Sequence, residues 1–284
     1  MTARPTDTRL DAIRAAVALR EQAYLDLLRD LVAIDSGSLD HEGVRRITDV
    51  LEGILIAERF AVEHVPVGAL HVLVGRRAGT GPSILLNAHM DTVYDRGTAA
   101  ERPFEIVDGH VRGAGVADDK CGIVAALIAV QALDEVGSDA DLMVVFTPDE
   151  ELGSPFSAPV TARLAAEAER VVCAPHVDGV QVATRLEASS PPMEATPAVT
   201  ALGGLACALG AELGIDGMRH VHTGGMGDAN IVATAGIPVL DGLAPVGGDD
   251  HTPAEWLDAA SIVPRVTLLT ALIDRLAVDG VPAP

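Results

Sequence analysis

Apolar residues recur along this chain with two different periods, one helical and one strand-like. Between residues 7 and 33, Ile13, Val17, Tyr24, Leu28 and Leu31 share one stripe at helical spacing, predicting a single amphipathic helix. Ser36-Gly37-Ser38 interrupts it, and Val44, Ile47, Leu51 and Ile54 predict a second helix over 41–59. Short β-like runs follow at 61–67 and 71–74. The run at 83–88 reads as a buried strand, and 104–112 as a hairpin turning at Asp108-Gly109. Ile123, Leu127 and Val130 mark a helix, and Leu142 to Phe146 is a continuous apolar run, as in a strand buried on both faces. The pattern continues with a helix at 158–168, strands at 170–173 and 180–184, a helix at 197–212 and a strand near 218–222. A last helix at 261–277 carries Ile262, Val266, Leu269, Ile273 and Leu276. This alternation predicts a single α/β domain with a mixed sheet and helices on both faces. The chain shows neither an internal repeat nor a low-complexity linker.

Composition narrows the function classes. Hydrophobic residues make up 49% of 284 and aromatics only 2%, so the core must be aliphatic. A formal net charge of -21 argues against nucleic acid or an anionic membrane as partner, since either needs a basic face. The longest apolar stretch, 123–130, is too short to cross a bilayer. Cys121, Cys173 and Cys207 are few and far apart, and the amino terminus has no apolar signal segment. These features point to a soluble, cytoplasmic protein in a reducing compartment.

Four polar clusters fall where strands or loops end. His89 and Asp91 close the strand at 83–88, two residues apart and so on one face. Asp118 and Asp119 stand between a glycine-rich loop and a helix start, Glu150 and Glu151 follow the strand at 142–146, and His251 lies in Gly247-Gly-Asp-Asp-His-Thr-Pro. In an open α/β sheet the carboxyl ends of strands form the ligand crevice. Imidazoles and carboxylates converging there suit zinc or a similar ion. Each cluster taken alone also has an ordinary reading: a helix cap for Asp118-Asp119, a solvated turn for Glu150-Glu151, a cap for His251. His220 and His222 form a second pair, readable as strand histidines or as metal ligands. The third glycine of a dinucleotide loop, the Gly-Lys-Ser/Thr of a P-loop and a Gly-x-Ser-x-Gly elbow are all missing.

Read together, the motifs resemble the co-catalytic zinc metallopeptidase family of glutamate carboxypeptidase, aminoacylase, acetylornithine deacetylase and succinyl-diaminopimelate desuccinylase, particularly its carboxypeptidase G-like branch. The resemblance rests on Leu31-Val-Ala-Ile-Asp-Ser-Gly, His89-Met-Asp-Thr-Val, Gly115-Val-Ala-Asp-Asp-Lys and Thr147-Pro-Asp-Glu-Glu-Leu-Gly-Ser. It resumes at Pro191-Pro-Met-Glu, Thr223-Gly-Gly-Met-Gly-Asp-Ala-Asn and Gly247-Gly-Asp-Asp-His-Thr-Pro. The resemblance implies a three-layer zinc-peptidase fold with a mixed, mostly parallel sheet, residues 1–284 forming one catalytic domain. It implies two zinc ions, replaceable by cobalt. His89 would bind one and His251 the other, Asp118 would bridge them, and Glu151 would complete a ligand set. Asp91 would orient His89, Glu150 would be the general base and then acid, and the Asp118-Asp119 peptide would be cis. The implied reaction is hydrolysis of a small peptide or N-acyl amino acid by metal-activated water.

The chain departs from that family at several positions. Ala174-Pro175 stands where a metal-binding carboxylate is expected, leaving His176 or Asp178 as replacements. The family's lid domain, which usually mediates dimerisation, is missing between 185 and 191, which implies a monomer. Gly227 replaces a serine and Cys121 a glycine. Two readings follow: a lidless metal-dependent amide hydrolase, or a catalytically weak or inactive relic or trimmed scaffold of the same fold.

Overall fold

The computed structural model describes residues 5–168, 170–173, 191–221 and 225–280. The chain begins with α1 (Pro5–Ala18), α2 (Glu21–Val32) and α3 (His41–Ala57). One continuous helix was expected over the first two. It breaks at Leu19, which is exposed, and the Arg20 guanidinium turns back to donate to the Ala16 carbonyl at 2.7 Å. That contact satisfies an orphan carbonyl at the end of α1. Asp40 caps α3 by accepting from the Gly43 amide at 3.1 Å.

Strands β1 (Ala61–Val67), β2 (Leu70–Arg77) and β3 (Thr80–His89) come next, then the single turn α4 (Thr98–Glu101) and the hairpin β4 (Glu105–Val107) with β5 (His110–Arg112). Its turn residues, Asp108 and Gly109, both have positive φ, as a two-residue hairpin turn requires. The chain continues with α5 (Lys120–Glu135), β6 (Ala140–Thr147), a 3-10 turn at Glu150–Leu152, α6 (Ala158–Glu167) and β7 (Arg170–Cys173). Beyond 190 come α7 (Pro197–Glu212), α8 (Asp228–Ala233), β8 (Val239–Leu240), β9 (Gly247–Gly248), β10 (Trp256–Asp258) and α9 (Ile262–Asp279).

The main sheet has the order β1-β2-β6-β3-β7-β8. Pairing is antiparallel from β1 to β6 and parallel from β6 through β3 and β7 to β8. Successive residues of β3 and β6 divide between two cores, because side chains alternate across a strand. Ile84, Leu86, Leu142, Val144 and Phe146 join the core beneath α1, α2, α3, α5 and α9. Leu85, Met143 and Val145 join Leu164, Ala165, Ala229 and Val232 on the opposite face. Helices therefore cover both faces, and the layers number three.

A second sheet, β4-β5-β10-β9, was not expected, because β9 and β10 are too short to show a period. The strand expected near 218–222 is not formed by 218–221. Met218 and His220 instead sit against Gly210 and Gly203 of α7, where an added Cβ would fall 2.4 Å from each side chain. The position beside β7 is taken by β8. The strand expected at 180–184, the junction between 185 and 191, and Ala174, His176 and Asp178 lie outside the described residues.

Candidate metal centre

Strands β3 and β6 run parallel, with His89 in register with Thr147, so the segments after them leave the sheet side by side. Met90 to Thr92 follow one, and Asp149 to Glu151 the other. Asp91 joins the two. Its fully buried carboxylate accepts the Glu150 amide at 3.1 Å, the Glu151 amide at 3.2 Å and the Ser38 hydroxyl at 2.6 Å. A buried carboxylate is tolerated when its oxygens are occupied in this way.

The imidazole of His89 is held from both sides. On one, Nδ1 lies 3.1 Å from the Asp91 carbonyl oxygen and 3.4 Å from its carboxylate. On the other, Nε2 lies 2.9 Å from Asp118 Oδ1 and 3.8 Å from Glu150 Oε2. The second Asp118 oxygen lies 2.9 Å from His251 Nε2, which is itself 3.1 Å from Glu151 Oε2. Asp118 thus stands between two imidazoles, one oxygen to each. Ligand atoms of His89, Asp118 and Glu151 all lie within 4.8 Å of one another. The Asp118-Asp119 peptide is cis.

The ordinary readings of these residues do not survive. Neither aspartate caps α5, since no side-chain cap bond is made there. Asp119 instead accepts the His89 amide at 3.1 Å. The Glu150 and Glu151 side chains are 14% and 5% exposed, so they are not a solvated turn. His251 has a φ of 60°, in the left-handed region, and its ring points to carboxylates rather than capping a helix. His220 packs against α7, and His222 lies outside the described residues.

Electrostatics reflect this crowding. Desolvation raises the Glu150 carboxyl well above its usual range, and the charges of Asp228, Asp118 and Glu151 add to it against the opposing His89. Desolvation likewise raises Glu151. Burial works against a charged His89, but its hydrogen bonds to Asp118 and Asp91 and the nearby carboxylates raise it well above normal. Bonds to Asp118 and Glu151 push His251 up to about 10. Asp118 itself is held below the usual carboxylate range: burial opposes this, but the two imidazoles outweigh it. A compact cluster of acids holding two imidazoles is a donor set suited to a divalent cation. Glu151 Oε1, buried and without a hydrogen-bond partner, fits that reading.

Several supporting residues carried no role in the sequence reading. Glu255, 1% exposed, accepts the amides of Gly115, Ala117 and Asp118 at 3.0, 2.8 and 3.2 Å, anchoring the loop that presents Asp118. Nothing in its surroundings, Thr-Pro-Ala-Glu-Trp, signals this task. Asp228 accepts from Asn87, Thr147 and Ser154 at 3.1, 2.6 and 2.6 Å. Its signal was its place in Gly-Met-Gly-Asp. Lys120 is 1% exposed, and its ammonium donates to the Ile34 and Ala114 carbonyls at 2.9 and 3.3 Å. Burial pulls it down to about 8 against the opposing charges of Glu255 and Asp35, and its bonds direct it to the backbone.

A model of peptidase family M20/M25/M40 matches residues 85–275, from β3 to α9 and well over half of the chain. The chain belongs to that family. Carboxypeptidase G2 of Pseudomonas sp. (strain RS-16) is 36% identical over 151 residues, covering 51% of this chain and 36% of that protein. A succinyl-diaminopimelate desuccinylase of Rhodospirillum rubrum is 35% identical over 144 residues, covering 45% of this chain and 36% of that protein. The matched segments thus span little more than a third of these curated relatives. Among solved structures, a Staphylococcus aureus tripeptidase superposes with a TM-score of 0.71 at 17% identity, covering 90% of this chain and 98% of that chain. The Saccharomyces cerevisiae di-peptidase Dug1p does so at 12% identity and the same TM-score, covering 94% and 98%. At these identities the structural likeness concerns the fold alone.

Proposed function

We propose that this M20 member is a metal-dependent hydrolase of amide bonds, acting on small peptides or N-acyl amino acids. The observation that carries the reading is Asp118, placed between the His89 and His251 imidazoles at 2.9 Å from each. His89 and Asp118 would hold one zinc ion, and His251, Glu151 and Asp118 the other. His176 remains a candidate for completing the first set in place of the carboxylate that Ala174 lacks. When bound, such ions supply water acidified from about 15.7 toward roughly 7 and polarise the scissile carbonyl.

The protein's own groups would do the rest. Glu150 is largely buried, and its raised proton affinity suits a group that accepts a proton from water and later gives it to the departing amine. Adjacent acids can divide the work because their side chains take different courses: Glu151 reaches His251, while Glu150 faces the His89 side. Asp91 would keep the His89 ring in one orientation with Nε2 toward Asp118, and through its amide bonds would hold Glu150 and Glu151 in place. We further propose one catalytic domain acting as a monomer.

The test is zinc content per chain together with zinc- or cobalt-dependent hydrolysis of N-acyl amino acids and dipeptides. Two ions and a turnover that falls by about 10²–10⁴ in Glu150→Gln, with zinc retained, is the expected result. At most one weakly held ion and no turnover would instead establish the inactive-scaffold reading.

A further inference from the structure

His251 stands on a loop at the surface, its side chain 42% exposed. Asp249 and His251 both have positive φ, a course that residues other than glycine rarely take. Such a backbone keeps its shape where bonds from its surroundings hold it.

The residue after His251 receives such a bond. The Thr252 carbonyl accepts the Glu255 amide at 3.2 Å, which closes the turn, and Arg102 Nη2 at 3.1 Å. A carbonyl oxygen has two lone pairs, and these two donors fill them. The Arg102 guanidinium also lies 4.7 Å from the centre of the Tyr94 ring and 4.0 Å from Glu255 Oε2. The Tyr94 hydroxyl, 3.0 Å from the Thr252 carbonyl, donates to the nearer and charged acceptor, Glu255 Oε2, at 2.7 Å. Burial and the Glu255 charge raise this phenol above its ordinary range, so the proton stays in place.

Arg102 is not needed to satisfy Glu255. The Tyr94 hydroxyl and the amides of Gly115, Ala117 and Asp118 already occupy that carboxylate. The guanidinium is itself anchored from behind. Arg102 ends α4, and at the other end of that turn Asp35 accepts the Gly97 and Ala99 amides at 2.8 Å each. One cluster therefore reaches both loops of the centre. Glu255 fixes the backbone of Asp118, and Arg102 fixes the backbone beside His251.

We propose that Arg102 is a positioning residue of the second metal site, holding His251 within reach of Asp118 and Glu151 through the Thr252 carbonyl. The inference rests on the hydrolase reading above and adds the residue that orders the more exposed half of its centre.

Zinc titration calorimetry on the full chain tests it through a cycle with His251→Ala. Arg102→Met keeps an unbranched stem beside Tyr94 but carries no donor. It is expected to weaken one zinc about tenfold, the low end for groups that act through a ligand. In the His251→Ala background the same substitution should change the remaining zinc by less than about twofold. Equal losses in both backgrounds, as a general loosening of the fold would give, overturn the proposal. So does an Arg102→Met chain with native isotherms. Either result leaves two zinc ions on the native chain and the hydrolase reading intact. Zinc uptake that His251→Ala does not alter removes the second site, and with it both that reading and this inference.

Discussion

His89 and His251 meet the same carboxylate, but the protein holds the two rings by different means. The side chain of His89 is 5% exposed, closes a core strand, and has its Nδ1 side occupied by Asp91 and its own amide bonded to Asp119. Its position is set before any ligand arrives. The side chain of His251 is 42% exposed, stands on a loop at positive φ, and its ring is held by Asp118 and Glu151. One imidazole is placed by packing and backbone bonds, and the other by charge. Beside Asp118, each ring also faces one glutamate: Glu151 Oε2 lies 3.1 Å from His251 Nε2, and Glu150 Oε2 3.8 Å from His89 Nε2. Packing and charge thus hold the two rings in different proportions, and they can be perturbed separately.

The most drastic way to break the comparison is to remove what the halves share. Asp118→Ala should abolish both, lowering zinc affinity by more than about 100-fold at each site, beyond the range for groups one step removed from a metal. A variant that still binds one zinc tightly would show that Asp118 is not shared. Asp91→Ala sharpens the contrast, because it strips support directly from the ring of His89 and reaches His251 only indirectly, through the Glu151 amide. Two-site zinc isotherms should show the larger loss, about 10–100-fold, at one site; equal weakening of both would erase the distinction.

Acidity separates the halves more gently. His251 is pushed up to about 10 by Asp118 and Glu151, so at neutral pH its ring carries a proton that a cation must displace. Zinc affinity should accordingly rise with pH, by about tenfold per unit for each proton released. Isotherms at pH 6.5 and 8.5 read this directly, and His251→Ala should remove the share of the slope that its proton contributes, leaving the share of His89, which is also raised above normal. The smallest effect is expected at Glu255, which touches neither ring. Glu255→Gln leaves amides of the Asp118 loop imperfectly paired and should lower stability by about 1–3 kcal/mol, measured by denaturant unfolding.

Much of this architecture was legible along the chain. Long periodic segments such as 41–59, 142–146 and 261–277 became α3, β6 and α9 with their ends shifted by a few residues. Their apolar stripes match a buried face whatever surrounds them. Where a local signal competed with a tertiary one, reading failed. The stripe from Ile13 to Leu31 runs unbroken across Leu19 and Arg20, yet Arg20 ends α1 by turning back on Ala16. Residues 218–221 look like a strand, but glycines of α7 give Met218 and His220 a different place to pack.

The same division holds for the site. By itself the sequence determined which groups could do chemistry: His89, Asp91, Asp118, Glu150, Glu151 and His251 were all identifiable from residue type and motif. It also set the three-layer α/β fold, because periodicity is a local property of the chain. Only the tertiary structure decided that one oxygen of Asp118 faces each imidazole, that Asp91 ties two strand ends together, and that a distant Glu255 anchors the loop carrying Asp118. Those contacts join residues 29 to 138 positions apart. No local pattern encodes such a distance, because it is closed by the parallel register of β3 and β6 and the packing of α5 and α9 against them.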